Sequence, residues 1–297
     1  MKQQNQDKKS GFYRYPCCKS GNTRVVVIGG GGQLGGRFVR CFQQSGYQVA
    51  ILEADDWQHA DSRLADAALV LIAVPIHLTE AVIRQLANLP HNCILADITS
   101  IKAQPLELML EVHAGGVVGL HPMFGPDVAA LNGQTIVLCH GRDQENYAWL
   151  WQQLEAWGLN IHCVSATEHD RTMAIVQVLR HFSTVVYGAH LARENVELDK
   201  ILAMSSPIYR LELAMVGRLF AQDPDLYTEI IFANPQNIAM MRRYIEQYDK
   251  LLSLVEQQDK QGFKKVFRQT SDWFGDYAQA FLQESGHLLN AAHKKQH

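Results

Sequence analysis

Four β-branched residues that run straight into glycines, Val25-Val26-Val27-Ile28-Gly29-Gly30-Gly31-Gly32-Gln33-Leu34-Gly35, limit the first half of this chain to very few folds. Val25 to Ile28 carries no polar interruption and reads as a strand buried on both faces, as in parallel sheets. Gly30, Gly32 and Gly35 satisfy G-x-G-x-x-G, and Arg37 to Gln44 continues as a helix. Gly30 permits the tight turn, Gly32 lets a pyrophosphate reach the backbone, and Gly35 lets helix and strand approach closely. Gln33 and Leu34, inside the motif, are counted with the glycines as cofactor-binding, because the N–H groups and positive dipole end of the new helix would face the phosphates. A second apolar strand, Gln48 to Leu52, ends in Glu53, 23 residues after Gly30. A carboxylate there accepts hydrogen bonds from the ribose hydroxyls of NAD and repels the 2′-phosphate of NADP, and Ala54, Asp55 and Asp56 offer no arginine for that phosphate. NAD is the expected cofactor; the alternative is an empty glycine turn, with Glu53 merely capping a strand.

A chain of 297 residues has room for two domains with proper cores. A net charge of −3 with no basic cluster beyond the ends argues against nucleic acid or a membrane surface as partner. No apolar stretch reaches the roughly 18 residues of a membrane span, and Met1 to Ser10 lacks the apolar core of a secretory signal. The six cysteines (17, 18, 41, 93, 139, 163) have no framework spacing and read as reduced thiols of a cytoplasmic protein. The histidines show no zinc-type spacing, so no metal site is expected.

Beyond Glu53, strands and helices alternate. Ala67 to Val74 (strand, ending at Pro75), Thr79 to Leu89 (helix), Cys93 to Asp97 (strand) and Leu106 to Val112 (helix) come first. Val117 to Leu120 and Gln134 to Cys139 (strands), Gln144 to Trp157 (helix) and Asn160 to Val164 (strand) close the series. The expected fold is α/β: a doubly wound, mostly parallel Rossmann domain over residues 23–166, after a tail or linker over 1–22. Residues 167–297 show long helical stretches and no convincing strand, giving an all-α second domain. Ser206-Pro207, Asp223-Pro224 and Asn234-Pro235 each set a capping residue before a proline, a helix-start signal.

The stretch Thr172 to Leu191 reads as one helix, apolar almost all round, which must be buried on nearly every side and so suggests a subunit interface as well as a core. Gln177, His181 and Thr184 draw one polar stripe along it, facing either a ligand or a self-contained polar seam. Arg210 and Arg218 on the helix Pro207 to Ala221 are about 80° apart around the axis, so both can border one cavity. Each needs an acid, either a neighbour such as Glu212 or a substrate carboxylate.

Ligands of doubly wound sheets sit outside the carboxyl ends of the strands. Three segments deliver chemistry there: Val74-Pro75-Ile76-His77, Asp97-Ile98-Thr99-Ser100-Ile101-Lys102, and Gly119-Leu120-His121-Pro122. His121 follows a buried strand and is stiffened by Pro122, so its imidazole is a candidate base at neutral pH; a purely structural histidine is the alternative.

His121-Pro122-Met123-Phe124-Gly125-Pro126, the Asp97–Lys102 segment, Glu168-His169-Asp170 and Ser205-Ser206-Pro207-Ile208-Tyr209-Arg210 resemble the prephenate dehydrogenase family. The likeness is strongest to the dehydrogenase portion of bifunctional chorismate mutase–prephenate dehydrogenases and covers about residues 24–290. It implies oxidation of the prephenate C4 alcohol by NAD⁺ with loss of CO₂, giving 4-hydroxyphenylpyruvate for tyrosine biosynthesis. It implies His121 as the group that draws off the hydroxyl proton, with Ser100 orienting the hydroxyl and imidazole. Arg218 would bind a substrate carboxylate with support from Arg210, His181 would border the substrate beside Gln177, and His113 would lie near the nicotinamide, with Val74 and Pro75 also on the cofactor side. A homodimer through the helical half and feedback inhibition by tyrosine are further implications. Too few residues precede the strand for a helical mutase domain, so mutase activity is not expected. The rival expectations are an arogenate dehydrogenase and a non-catalytic NAD-binding regulator that senses tyrosine. A general hydroxyacid dehydrogenase is disfavoured, since no lysine lies on Thr172 to Leu191.

Overall fold

The β-branched run forms the central strand β1 (Arg24–Ile28), whose residues alternate between two cores: Val25 and Val27 face one side, Val26 and Ile28 the other. That double burial is why the strand has no polar face. The computed structural model describes residues 15–19 and 23–293. After β1 come α1 (Gln33–Gln44), β2 (Gln48–Leu52), α2 (Ala60–Leu64), β3 (Ala67–Ile72) and α3 (Ile76–Arg84). There follow β4 (Ile94–Asp97), α4 (Ala103–Val112), β5 (Gly116–Pro122), β6 (Thr135–Arg142), α5 (Ala148–Ala156), β7 (Asn160–Cys163) and α6 (Ala166–Met173).

The seven strands lie in the order β2-β1-β3-β4-β5-β6-β7. All neighbours are parallel except β5 and β6, which run antiparallel. The chain turns back from β5 to β6 without a crossover helix, which is why direction reverses there. From β1 the chain moves one way to β2 and then returns to the other side of β1 for β3. The crevice between the ends of β1 and β3 is therefore the topological switch point, where such sheets hold ligands.

Phe38 and Phe42 of α1 pack edge-on against Trp157 after α5, covering one face of the sheet. Ile83, Leu86, Leu106 and Met109 cover the other. Most of the tail expected over 1–22 lies outside the described residues, but 15–19 is pinned to the α5 side. Tyr15 meets Trp157 edge-on, the Cys18 N–H donates to Gln153 Oε1 (3.1 Å), and Gln153 Nε2 donates to the Pro16 carbonyl (3.0 Å).

Several boundaries differ from expectation. Helix α1 starts at Gln33 rather than Arg37, directly after the glycines, because Gly35 and Gly36 are helical once their own lack of side chain lets the helix sit against β1. Strand β3 stops at Ile72, and α3 begins at Ile76. A short 3-10 turn over Ala54–His59, continued by α2, fills a stretch for which no element was expected.

The chain divides into two compact units between Met173 and Ala174, so α6 belongs to the first. The second unit is helical: α7 (Arg180–Arg193), α8 (Leu198–Ala203), α9 (Pro207–Phe220), α10 (Pro224–Phe232), α11 (Asn237–Glu256), α12 (Lys260–Phe274) and α13 (Asp276–His293). Ser206 caps α9 by accepting the Tyr209 N–H, and Asp223 caps α10 by accepting the Asp225 N–H. Asn234 instead closes a turn on the Gln236 N–H, and α11 starts only at Asn237.

The single helix expected over Thr172 to Leu191 is broken by a π-helical turn, Ala174–Leu179. A π turn inserts extra backbone between helical repeats and shifts the phase of everything after it. Nor is the stretch buried on nearly every side within one chain: Ile175, Val176 and Val186 are 62%, 48% and 51% exposed. No described helix is long and apolar enough to cross a membrane.

Candidate active site

The glycine loop is built as its spacing demands. Gly29 has φ +80°, and a Cβ there would meet the Ala73 carbonyl at 2.7 Å and Val74 at 3.0 Å, so the ends of β1 and β3 touch. A Cβ on Gly35 would stand 2.3 Å from the Gly29 carbonyl oxygen. Gly32 is the N-cap of α1, leaving Gln33 and Leu34 in the first helical turn. The loop, with Arg40, Ile51, Pro126 and Asp127, lines a cavity of about 540 Å³. Val74 and Pro75, the N-cap of α3, close the same switch point. Glu53 stands at the end of β2, and its Oε1 accepts the Gly31 N–H at 2.6 Å. A backbone cradle with no room for a Cβ at Gly29 and Gly35, the first-turn N–H groups of α1 and a carboxylate across from them fit a dinucleotide with free ribose hydroxyls.

Three elements meet at the carboxyl edge further along the sheet. His121, on β5, is 3% exposed. Its Nδ1 is 2.8 Å from His169 Nε2, with ring planes at 66°. His169 Nδ1 is in turn 2.7 Å from Asp170 Oδ1. The Asp170 carboxylate accepts the Lys102 N–H (2.8 Å) and the Ala103 N–H (2.9 Å) at the start of α4. These bonds hold the Asp170 carboxyl below its ordinary range despite its burial. Burial, then the Lys102 ammonium and the second imidazole, push His121 well below the ordinary histidine value, so it is neutral and able to accept a proton.

Lys102 itself is wholly buried. Its Nζ pairs with Asp97 Oδ2, which also accepts the Thr99 hydroxyl and the Thr99 N–H (3.0 Å). Ser100 lies half-buried in this same loop after β4.

The first unit therefore gathers His121 and Ser100 on one edge of the sheet with Gly30, Gly32, Gln33, Leu34, Gly35, Glu53, Val74 and Pro75. The second unit carries the rest of the expected site. Gln177 sits in the π turn, His181 is half-buried with its ring against Tyr227 (centroids 4.8 Å), and Arg210 and Arg218 are exposed on α9.

His113 is the correction. It precedes β5, at the amino edge of the sheet, and its Nε2 is tied to the Cys93 carbonyl at 2.8 Å. A strand length of about 20 Å separates that edge from the one that carries the glycine loop, so His113 holds β4 to α4 rather than touching a nicotinamide. Sequence reasoning missed Arg40 beside the cavity, and gave no roles to Lys102, His169 and Asp170, although it marked their segments.

Residues 44–160 match the family description "Prephenate dehydrogenase, nucleotide-binding domain", and residues 165–269 match "Prephenate dehydrogenase, dimerization domain". The T-protein of Enterobacter agglomerans is 53% identical over 268 residues, covering 90% of this chain and 72% of that protein. The chain belongs to the prephenate dehydrogenase family. The T-protein of Haemophilus influenzae is 49% identical, covering 91% of this chain and 72% of that protein. Among solved structures, prephenate dehydrogenase from A. aeolicus, in complex with hydroxyphenyl propionate and NAD⁺, shares the fold. Its TM-score is 0.65 at 16% identity, covering 84% of this chain and 96% of that one. In this member of the prephenate dehydrogenase family, α6 falls in the dimerization-domain match yet packs as part of the first unit, where His169 and Asp170 complete the His121 edge.

Proposed function

We propose that this chain is an NAD-dependent prephenate dehydrogenase that makes 4-hydroxyphenylpyruvate for tyrosine biosynthesis in the cytoplasm. The observation that carries the reading is His121: a buried, neutral imidazole at the carboxyl edge of a nucleotide-binding sheet, tethered through Nδ1. Bound NAD⁺ supplies the hydride acceptor.

The chain's own groups do the remaining work. His121 Nε2 takes the proton of the C4 hydroxyl as the C4 hydride leaves. Ser100 orients that hydroxyl. The resulting ring ketone then draws in the electron pair of the bond to the ring carboxylate; CO₂ departs, and aromatisation drives the step. Arg218, supported by Arg210, grips a substrate carboxylate, and Gln177 and His181 border it. Fixing the substrate against a held base is where proximity is gained, and the base itself contributes about 10²- to 10⁴-fold. Glu53 selects NAD over NADP through the ribose.

The working form is a homodimer built through the helical half. Its support is the family's dimerization-domain match and the large apolar side chains exposed there, among them Met204, Phe232, Phe267 and Trp273. Tyrosine, which shares a phenolic ring with the product, is the expected feedback inhibitor.

Steady-state NADH formation from prephenate and from arogenate, with NAD⁺ or NADP⁺ and with or without tyrosine, tests the reading. His121→Asn should lose kcat by about 10²-fold or more and keep near-normal NAD⁺ binding, and Arg218→Ala should mainly raise KM for prephenate. A preference for arogenate overturns the substrate assignment. Absence of turnover with either cyclohexadienol favours a regulator.

A further inference from the structure

We propose that His169 and Asp170 are positioning residues that hold the His121 ring and keep its proton on Nδ1, so that Nε2 presents its lone pair to the substrate. The inference rests on the reading of His121 as proton acceptor.

The tautomers follow from the hydrogen bonds one at a time. Asp170 accepts two backbone N–H groups, one on each carboxylate oxygen. An ionised carboxylate is an acceptor only, so at the 2.7 Å contact the proton is on His169 Nδ1. A neutral His169 then has a lone pair on Nε2. The 2.8 Å contact is satisfied only if His121 donates from Nδ1. His121 Nε2 is then the unprotonated, basic atom. When it takes the substrate's hydroxyl proton, His121 becomes an imidazolium that still donates through Nδ1, and the Asp170 charge is aligned behind it.

An extra proton on His169 would reverse the chain, since its Nε2 would donate and His121 would have to carry its proton on Nε2, facing the substrate. Among the groups that bear on His121 are Lys102, just before α4, and His169 and Asp170 from α6. His169 is only 1% exposed, and its Nε2 lies against His121 Nδ1. With a single proton on His169, the two contacts therefore hold one tautomer of His121.

Isosteric substitutions separate this role from a merely structural tie between α6 and α4. In His169→Gln the side-chain oxygen can occupy the place of Nε2 and still accept from His121. In His169→Asn the amide reaches Asp170 but falls short of His121. His169→Asn should lower kcat about 10- to 100-fold, part of what a positioned base supplies, with KM for prephenate and NAD⁺ little changed. His169→Gln should recover most of the loss. Asp170→Asn removes the charge that favours the protonated imidazole, so kcat should fall while the acid limb of its pH profile moves to lower pH.

The tautomer is read without substrate from the ¹⁵N shifts of His121. Wild type should show Nδ1–H and the His169→Asn protein should lose that preference, with thermal melts confirming that both are folded. Wild-type kcat in His169→Asn, equal loss in Gln and Asn variants, an unmoved acid limb in Asp170→Asn, or a wild-type His121 protonated on Nε2 would each overturn the proposal. Failure of the wild type to oxidise prephenate would sink the functional reading alone, and the ¹⁵N measurement would still decide the tautomer.

Discussion

Replacing Lys102 by methionine strips the Asp97 carboxylate of the ammonium that faces it at the centre of the sheet. Both side chains are fully buried, and Asp97 is the last residue of β4, between β3 and β5. After the change, Oδ2 keeps only the Thr99 hydroxyl and N–H, and Oδ1 already has no hydrogen-bond partner among the described residues. Methionine fills nearly the same volume, so the loss is electrostatic and not a cavity. Breaking a buried ion pair from one side costs about 3–5 kcal/mol. For a unit of this size, each kcal/mol moves the midpoint by about 2–4 °C, so Tm of the first unit should drop by roughly 6–20 °C. Trp57, Trp149, Trp151 and Trp157 all lie in that unit, and tryptophan fluorescence in a Trp273→Phe background reports its unfolding alone. The double variant Lys102→Met, Asp97→Asn removes both charges, while the new side-chain amide oxygen can still accept from Thr99. It should recover at least about 2 kcal/mol relative to the sum of the single changes. A single-variant loss below about 1 kcal/mol, or a double variant no better than additive, would refute the claim that this pair is held by mutual compensation.

Gly35→Ala drives a methyl into the Gly29 carbonyl, so it should destabilise by about 1–3 kcal/mol and raise KM for NAD⁺, both readable by melting and kinetics. Glu53→Gln removes the charge that repels a 2′-phosphate, and the ratio of kcat/KM for NAD⁺ over NADP⁺ should fall; an unchanged ratio would move the selectivity elsewhere. Because the Asp170 carboxyl is held below its ordinary value in the fold, its stabilising effect is present above the unfolded value of about 4 and is lost as pH falls through its folded value. The stability gap between wild type and Asp170→Asn, measured by urea midpoints, should therefore be full near neutrality and shrink in acid.

How much of this was legible depended on whether a signal was local. The places of the glycine loop, β1 and Glu53 were readable because each follows from a local strand or turn pattern, and that of His121 because an uninterrupted apolar run delivers it to a sheet edge. Strand direction was not: β6 has the same alternation whether it runs with β5 or against it, and only its short connection without a helix hints at reversal. The π turn at Ala174–Leu179 was invisible because its residues are as helix-compatible as those around it, and extra backbone leaves no mark in composition. Its exposed apolar residues also show that an all-apolar stretch does not by itself fix burial within one chain. His169 was quoted but given no task, since its partner His121 is 48 residues away. An adjacent His-Asp pair within a helix was the available hint. His113 misled because a histidine just before a strand and one inside its far end look alike until the edges of the sheet are told apart.

The bond from the Gly31 N–H to Glu53 makes the acid a brace for the very loop it faces. One carboxylate thereby serves two masters, keeping the glycines in shape and presenting lone pairs to whatever enters the groove. A ribose that docks there as proposed would exchange one partner for another instead of ordering a slack coil. Under the proposed role of Glu53, a nucleotide phosphorylated at its 2′ oxygen would bring like charge to this brace and one hydroxyl fewer to take the place of the Gly31 N–H.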